Sequence, residues 1–373
     1  MKICFVAPRI HTNQLTLIDS LTKHGHVVHF FCMSNSPEYL KIKPNCTIEV
    51  LPVEKLSWLS FIVLKTAIFF RGGTVRQNLL QQTEYSVLHK RLKEIRPDKV
   101  IIRDVTLPLA LQAFFATRKL SIPTILYNQY PLEGKESILT RAFQFIKLVP
   151  RHRITPIRKN LNGICDEKTN AHYVPLTVNS NFDITQKSYR LGNKLNIVFV
   201  GKFTLERKNH LLAVKATHEF SKKYSVHLTI VGGYSSDHND VYREVTDYIK
   251  KHKLESIITI RRSIPHTEMP NEYIKADVFL FPSVNEPLSI STLEAMAHAT
   301  VPIVTKSNGT QYYIRDGVTG FILQKNSIAE INEILEKLQQ IEQLQKFSMA
   351  TYKSFANEYS DTIQYQTFIE AVQ

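Results

Sequence analysis

Two glutamates separated by seven residues, Glu286 and Glu294, lie on either side of a turn and a helix start. The apolar run Val278 to Phe281 leads into Pro282, Ser283, Asn285 and Pro287, a turn composition. Ile290, Leu293 and Ala297 then recur at helical spacing, with Ser289 placed as N-cap, and a second apolar run spans Val301 to Val304. The spacing predicts strand, turn, helix, strand: a parallel α/β unit. Its helix aims backbone N–H groups and partial positive charge at the turn, so an anion is the natural guest. An ionised glutamate only accepts hydrogen bonds, so a carboxylate on each side suits hydroxyl groups flanking that anion.

The elements that must position these groups follow the same pattern. Leu195 to Val200 predicts a strand ending at Gly201, followed by the charged stretch Lys202 to Asn209 and a helix carrying Leu211, Leu212, Val214 and Phe220. Val226 to Val231 is a further strand, and Gly232-Gly233 after it permits close backbone approach to a ligand or simply a tight turn. Ile257 to Ile260 runs into Arg261 to Pro265. Ser327 to Leu344 has the spacing of one helix, and Phe347 to Val372 reads as helical too.

In the first half, Ile3 to Ala7, a helix over Gln14 to Lys23, and Val27 to Phe31 form a βαβ start. It lacks the G-x-G-x-x-G of dinucleotide sites, which removes most of the weight from a dehydrogenase reading. Met1-Lys2 runs straight into that first strand rather than into a signal-peptide core. Polar residues follow three strands where α/β sheets place ligands: Arg9 and His11, Arg103 and Asp104, Asn128 and Gln129. Leu56 to Phe70 is apolar, interrupted by Lys65 and too short to span a bilayer; a buried helix or an interfacial one both fit it. Arg141 to Lys159 interleaves basic and apolar residues, as a solvated helix edge or a lipid-phosphate surface does. The polar stretch 179–193 reads as a linker between domains 1–178 and 194–350, with 351–373 as a tail.

A chain of 373 residues with 43% hydrophobic and 21% charged residues holds two globular domains. Cys4, Cys32, Cys46 and Cys165 show no metal-ligand or C-x-x-C spacing and read as reduced thiols of a cytoplasmic protein. Residues 1–180 hold 25 Lys+Arg against 12 Asp+Glu, or +13, while 181–373 hold 22 against 21, or +1. That split implies an anionic partner for the first half. No recognition module for nucleic acid accompanies it.

The segment Glu286-Pro287-Leu288-Ser289-Ile290-Ser291-Thr292-Leu293-Glu294, with Asn308-Gly309-Thr310 and Asp316-Gly317-x-x-Gly320-Phe321, resembles the donor-site signature of family 4 retaining glycosyltransferases, of the bacterial cell-envelope polysaccharide type. The resemblance is specific over 195–325 and loose elsewhere. It implies the GT-B fold: an α/β architecture of two facing Rossmann-like domains with parallel sheets, the C-terminal helix crossing back to the first. It also implies a metal-independent transferase with no cofactor beyond its nucleotide-sugar donor, UDP-linked by preference. Under it Glu286 orients the sugar with the N–H groups of Leu288, Ser289 and Ile290. Glu294 holds the ribose. Lys202 and Lys208 stabilise the leaving diphosphate beside Gly201 and Gly232, and Arg262 and Ile264 meet the base. The acceptor is a glycan or a lipid-linked sugar at an anionic membrane surface, reached from the cytoplasmic side. Three features depart from the pattern: the loop Pro8 to Asn13 lacks a glycine pair, Gln129 stands where a histidine is common, and Lys202 replaces an arginine. They leave open a non-catalytic GT-B-like subunit, and an epimerase on the same fold remains a further alternative.

Overall fold

The computed structural model describes residues 1–10, 12–34, 44–54, 83–103, 108–129, 150, 152–159, 165–166, 170–203, 206–233, 240–262 and 264–373. The chain divides into two compact units, Met1–Leu176 together with Asp361–Gln373, and Thr177–Ser360. Each is a Rossmann-like α/β domain, as expected of the GT-B fold.

In the first unit the strands are β1 (Lys2–Val6), β2 (Val27–Cys32), β3 (Cys46–Val50), β4 (Lys99–Arg103), β5 (Thr124–Tyr127), β6 (Arg153–Thr155), β7 (Cys165–Asp166) and β8 (Ala171–Tyr173). They form one sheet in the order β3-β2-β1-β4-β5-β6-β8-β7, parallel except for β7. Ile3, Cys4, Phe5 and Val6 are all buried, because helices cover both faces of a parallel sheet. One face carries α1 (Thr12–Lys23) through Ile18 and Leu21. The other carries α2 (Tyr85–Ile95) and α3 (Pro108–Lys119) through Leu88, Leu92 and Leu109.

The second unit has β9 (Leu195–Val200), β10 (Val226–Val231), β11 (Ile258–Arg261), β12 (Val278–Phe281), β13 (Val301–Thr305) and β14 (Phe321–Leu323), all parallel, in the order β11-β10-β9-β12-β13-β14. Its helices are α4 (His210–Ser221), α5 (Asp240–Lys251), α6 (Met269–Lys275), α7 (Ile290–Ala297), α8 (Ile328–Lys337) and α9 (Ile341–Glu358). A last helix, α10 (Asp361–Val372), belongs to the first unit, where Phe368 stacks on Phe5 at 6.5 Å and Gln364 donates to the Pro175 carbonyl at 2.8 Å. Burying Phe368 completely contributes about 2–3 kcal/mol to holding that helix in place.

Four expectations change. Ser327 to Leu344 is not one helix: Gln340 is extended, and the Gln339 carbonyl accepts from Arg190 Nη1 at 2.9 Å instead of from a helical N–H. The stretch 179–193 is packed into the second unit, with Phe182 against His298 and Lys187 buried. Residues 351–360 stay with the second unit, so only 361–373 return to the first. The C-terminal part of Arg141 to Lys159 is core rather than surface: Arg153, in β6, is fully buried, Ile154 and Ile157 are buried, and Arg158 lies over the Tyr173 ring at 4.4 Å. Residues 141–149 and 56–70 lie outside the described residues.

Candidate active site

The strand order of the second sheet reverses between β9 and β12, and open α/β sheets bind ligands at the carboxyl ends of strands beside such a reversal. Gly201 follows β9 there, and Pro282 to Glu286 follow β12. The loop after β12 is pinned from three sides. Val284 N–H donates to the Arg207 carbonyl at 2.7 Å, Thr305 Oγ1 to the Ser283 carbonyl at 2.5 Å, and Gly309 N–H to the Glu286 carbonyl at 2.8 Å. Asn308, fully buried, bonds Ser283 Oγ through Nδ2 at 3.3 Å and accepts from Thr310 N–H through Oδ1 at 3.0 Å. This is the work of the Asn308-Gly309-Thr310 motif: it fixes the backbone that presents Glu286.

Glu286 is buried, and its Oε2 lies 2.6 Å from Lys208 Nζ and 3.3 Å from Arg207 Nη1. Burial pulls the Lys208 ammonium below its usual range, and the Glu286 carboxylate opposes that shift. Lys208 also stands over the Phe281 ring at 4.7 Å. The turn delivering it, Glu206–Lys208, ends at Asn209 in the left-handed region, φ 61°, a conformation asparagine tolerates. Asn209 Nδ2 donates to the Pro282 carbonyl at 3.2 Å, joining the two loops.

Beneath Lys208, two backbones touch. A Cβ on Gly232 would stand 2.0 Å from the Gly201 carbonyl oxygen, so that position admits only glycine; Gly233 has open space. The same Gly201 oxygen accepts from His210 Nε2 at 3.0 Å. His210 is buried between the Phe199 and Phe203 rings, at 4.5 and 4.3 Å, and burial lowers it to about 4, so it is neutral.

Ser289 caps α7, its hydroxyl accepting from Thr292 N–H at 3.2 Å. Among the described residues no hydrogen bond occupies the N–H groups of Leu288, Ser289 and Ile290. Glu294 sits farther along α7, its Oε2 accepting from Tyr273 OH at 2.7 Å and its Oε1 lying 3.0 Å from Nε2 of the exposed His266. Burial and the neighbouring Glu294 carboxylate push the Tyr273 phenol well up, so it remains a donor.

The structure therefore brings Glu286 to Lys208 and Gly201 to Gly232, and sets Glu294 and Ser289 on one short helix. Lys202 is exposed and touches none of these groups, while Phe203 beside it turns fully into the core. Arg262 is exposed over the Tyr242 ring at 5.8 Å, and Ile264 is half-buried. In the first unit, Arg103 lies over Tyr127 at 5.7 Å, Asn128 Oδ1 accepts from buried Arg153 Nη1 at 3.2 Å, Gln129 is half-buried and Arg9 is exposed. His11 and Asp104 lie outside the described residues. Among the described residues no group of three or more His, Cys, Asp or Glu side chains is placed to hold a metal. Sequence reasoning missed Arg207, His210, Tyr273 and His266. Only Arg207, adjacent to Lys208 in the chain, carried a usable signal.

Residues 181–354 match the family model of glycosyl transferases group 1. Over 139 residues the chain is 32% identical to the alpha-maltose-1-phosphate synthase of Mycolicibacterium smegmatis, covering 36% of this chain and 35% of that protein. Over 168 residues it is 26% identical to the capsular polysaccharide biosynthesis glycosyltransferase CapM of Staphylococcus aureus, covering 44% and 42%. The matches thus span less than half the length of these relatives. A glycosyltransferase structure from Rickettsia africae superposes with a TM-score of 0.75 at 16% identity, covering 99% of this chain and 97% of that one. Anabaena HepE, solved in complex with UDP and glucose, gives 0.68 at 14% identity, covering 99% and 98%. The chain thus has the two parallel-sheet domains of the GT-B glycosyltransferases, and its second domain matches the group 1 model.

Proposed function

We propose that this protein is a retaining glycosyltransferase that moves a sugar from a nucleotide-diphosphate donor to a glycan or lipid-linked acceptor of the cell envelope. The observation that carries the reading is the buried Glu286 carboxylate held 2.6 Å from Lys208 at the strand-order reversal, beside the open N–H groups that start α7. Lys208, with Arg207 and the exposed Lys202 at hand, neutralises charge growing on the departing diphosphate. Glu294, oriented by Tyr273, accepts from the ribose hydroxyls. Glu286 accepts from the sugar and is released toward it as Lys208 turns to the phosphate. In the transfer, the bond from the anomeric carbon to the diphosphate oxygen breaks. A bond to the acceptor oxygen forms on the same face, and the acceptor's proton passes to the leaving phosphate. The cations named carry the charge that a metal carries elsewhere, so activity is expected to persist in EDTA. The UDP and glucose of the HepE complex favour a UDP-sugar, and CapM's role in capsule synthesis favours an envelope acceptor.

The test is release of UDP or GDP from a panel of UDP- and GDP-sugars with a cell-envelope glycolipid extract as acceptor, with and without EDTA. Wild-type release that is lost in Glu286→Ala supports the reading. Equal release by both proteins, or an absolute requirement for Mg²⁺ or Mn²⁺, contradicts it.

A further inference from the structure

Lys187 lies in the segment entering the second unit and is 8% exposed. Its ammonium sits in a cage of oxygens: the carbonyls of Ala276 at 2.5 Å, Tyr273 at 3.0 Å and His298 at 3.3 Å, and Thr300 Oγ1 at 3.0 Å. No carboxylate touches it among the described residues. Asp277, the nearest acid, spends its oxygens on the backbone N–H groups of Arg190 at 3.0 Å and Asn196 at 2.8 Å. The cation is therefore satisfied by the carbonyl-rich C-terminal ends of α6 and α7, where helix dipoles present negative charge.

Those two helices carry Glu294 and the phenol that donates to its Oε2, while the exposed His266 meets its Oε1 from the turn before α6. Tyr273 is on α6, and its hydroxyl donates to Glu294 Oε2. Glu294 is on α7, which His298 closes; His298 Nδ1 bonds the Glu294 carbonyl at 2.7 Å, and its ring lies against Tyr273 at 5.8 Å and 19°. The residue whose carbonyl Lys187 grips, Tyr273, is thus the residue whose phenol orients Glu294. Burying an ammonium here costs free energy: burial pulls Lys187 below its usual range, and the charge of the nearby Asp277 opposes that shift. An apolar side chain avoids the cost but leaves the Ala276 and His298 carbonyls without this donor.

We infer that Lys187 is a positioning residue of the donor site: it locks the ends of α6 and α7 together so that Tyr273 holds Glu294 in the geometry that receives the nucleotide ribose. The inference rests on the donor role given to Glu294 above.

The experiment titrates UDP, and GDP in a parallel arm, into the full-length wild type, Lys187→Met, Thr300→Val, Tyr273→Phe and the double variant Lys187→Met/Tyr273→Phe. Positioning raises Kd about tenfold in Lys187→Met and about threefold in Thr300→Val, with the stoichiometry still near one. A purely structural role lowers the fraction of competent protein at unchanged Kd. The double variant binds no worse than the weaker single variant, because both act through the same contact. If Lys187→Met does not fold, Thr300→Val and Tyr273→Phe carry the test. Unchanged Kd in Thr300→Val and any folded Lys187→Met, or additive losses in the double variant, overturns the role of Lys187 and leaves the donor site standing. Failure of the wild type to bind either nucleotide overturns the donor site itself, and the role of Lys187 with it.

Discussion

Lys208 is the residue on which the proposed chemistry turns, because it is paired to Glu286 and is the cation we propose for the departing diphosphate. Lys208→Met should lower kcat by about a hundredfold while raising donor KM less, since the charge it meets grows in the transition state. Steady-state kinetics with the accepted donor check this; a variant whose KM rises at constant kcat speaks against a leaving-group role. The fold should survive, because Arg207 remains 3.3 Å from the Glu286 oxygen to compensate the buried carboxylate. His210 provides a pH signature. Its folded value of about 4 lies below its ordinary 6.5, so the unfolded chain takes up the proton first. The corresponding stability is present above pH 6.5 and is lost as pH falls through 4, by about 3 kcal/mol in all. His210→Gln keeps a donor for Gly201 and removes the titration. Its denaturant stability should fall by about that much less than the wild type's between pH 7 and 4, and parallel curves would contradict the assignment.

At the scale of elements, the close approach of the β9 and β10 loops sets the floor of the site. Gly232→Ala must separate two backbones now in contact, so it should destabilise by about 1–3 kcal/mol and weaken nucleotide binding. Gly233→Ala, which meets nothing within 4 Å, should do neither. Thermal melts of both variants decide; equal melts refute the close-packed floor. The sequence disclosed most of these elements: β10 and β12 have the expected bounds, and Ser289 caps α7 as its side-chain chemistry requires. Apolar runs and turn residues are local signals. What stayed hidden is non-local. Tyr273 meets Glu294 across 21 residues and Lys208 meets Glu286 across 78, distances at which pattern carries no contact information. The motif disclosed Glu286 and Lys208 only as members of a signature. Lys187, in a stretch whose polarity reads as a linker, became a core residue because a neighbouring element supplied oxygens for its ammonium.

For the molecule as a whole, the charge split of +13 against +1 is the ground on which we propose an anionic partner for the first half, although the burial of Arg153 removes one cation from any such surface. No helix among the described residues is long and apolar enough to cross a membrane. If the partner is a membrane, the attachment is electrostatic, at about 1 kcal/mol per cation near the surface. Co-sedimentation with vesicles containing anionic lipid should then exceed that with neutral vesicles and vanish at high salt. Equal sedimentation with both would assign the charge to a soluble acidic acceptor. The central claim, a nucleotide-diphosphate site in the second unit with Glu294 on the ribose, is tested most directly by calorimetric titration of UDP and GDP into the wild type, Glu294→Ala and Glu286→Ala. One nucleotide should bind the wild type one to one. Its affinity should fall by about 1–3 kcal/mol in Glu294→Ala and change little in Glu286→Ala, which serves the sugar. No binding of either nucleotide, or equal affinity in wild type and Glu294→Ala, would contradict it.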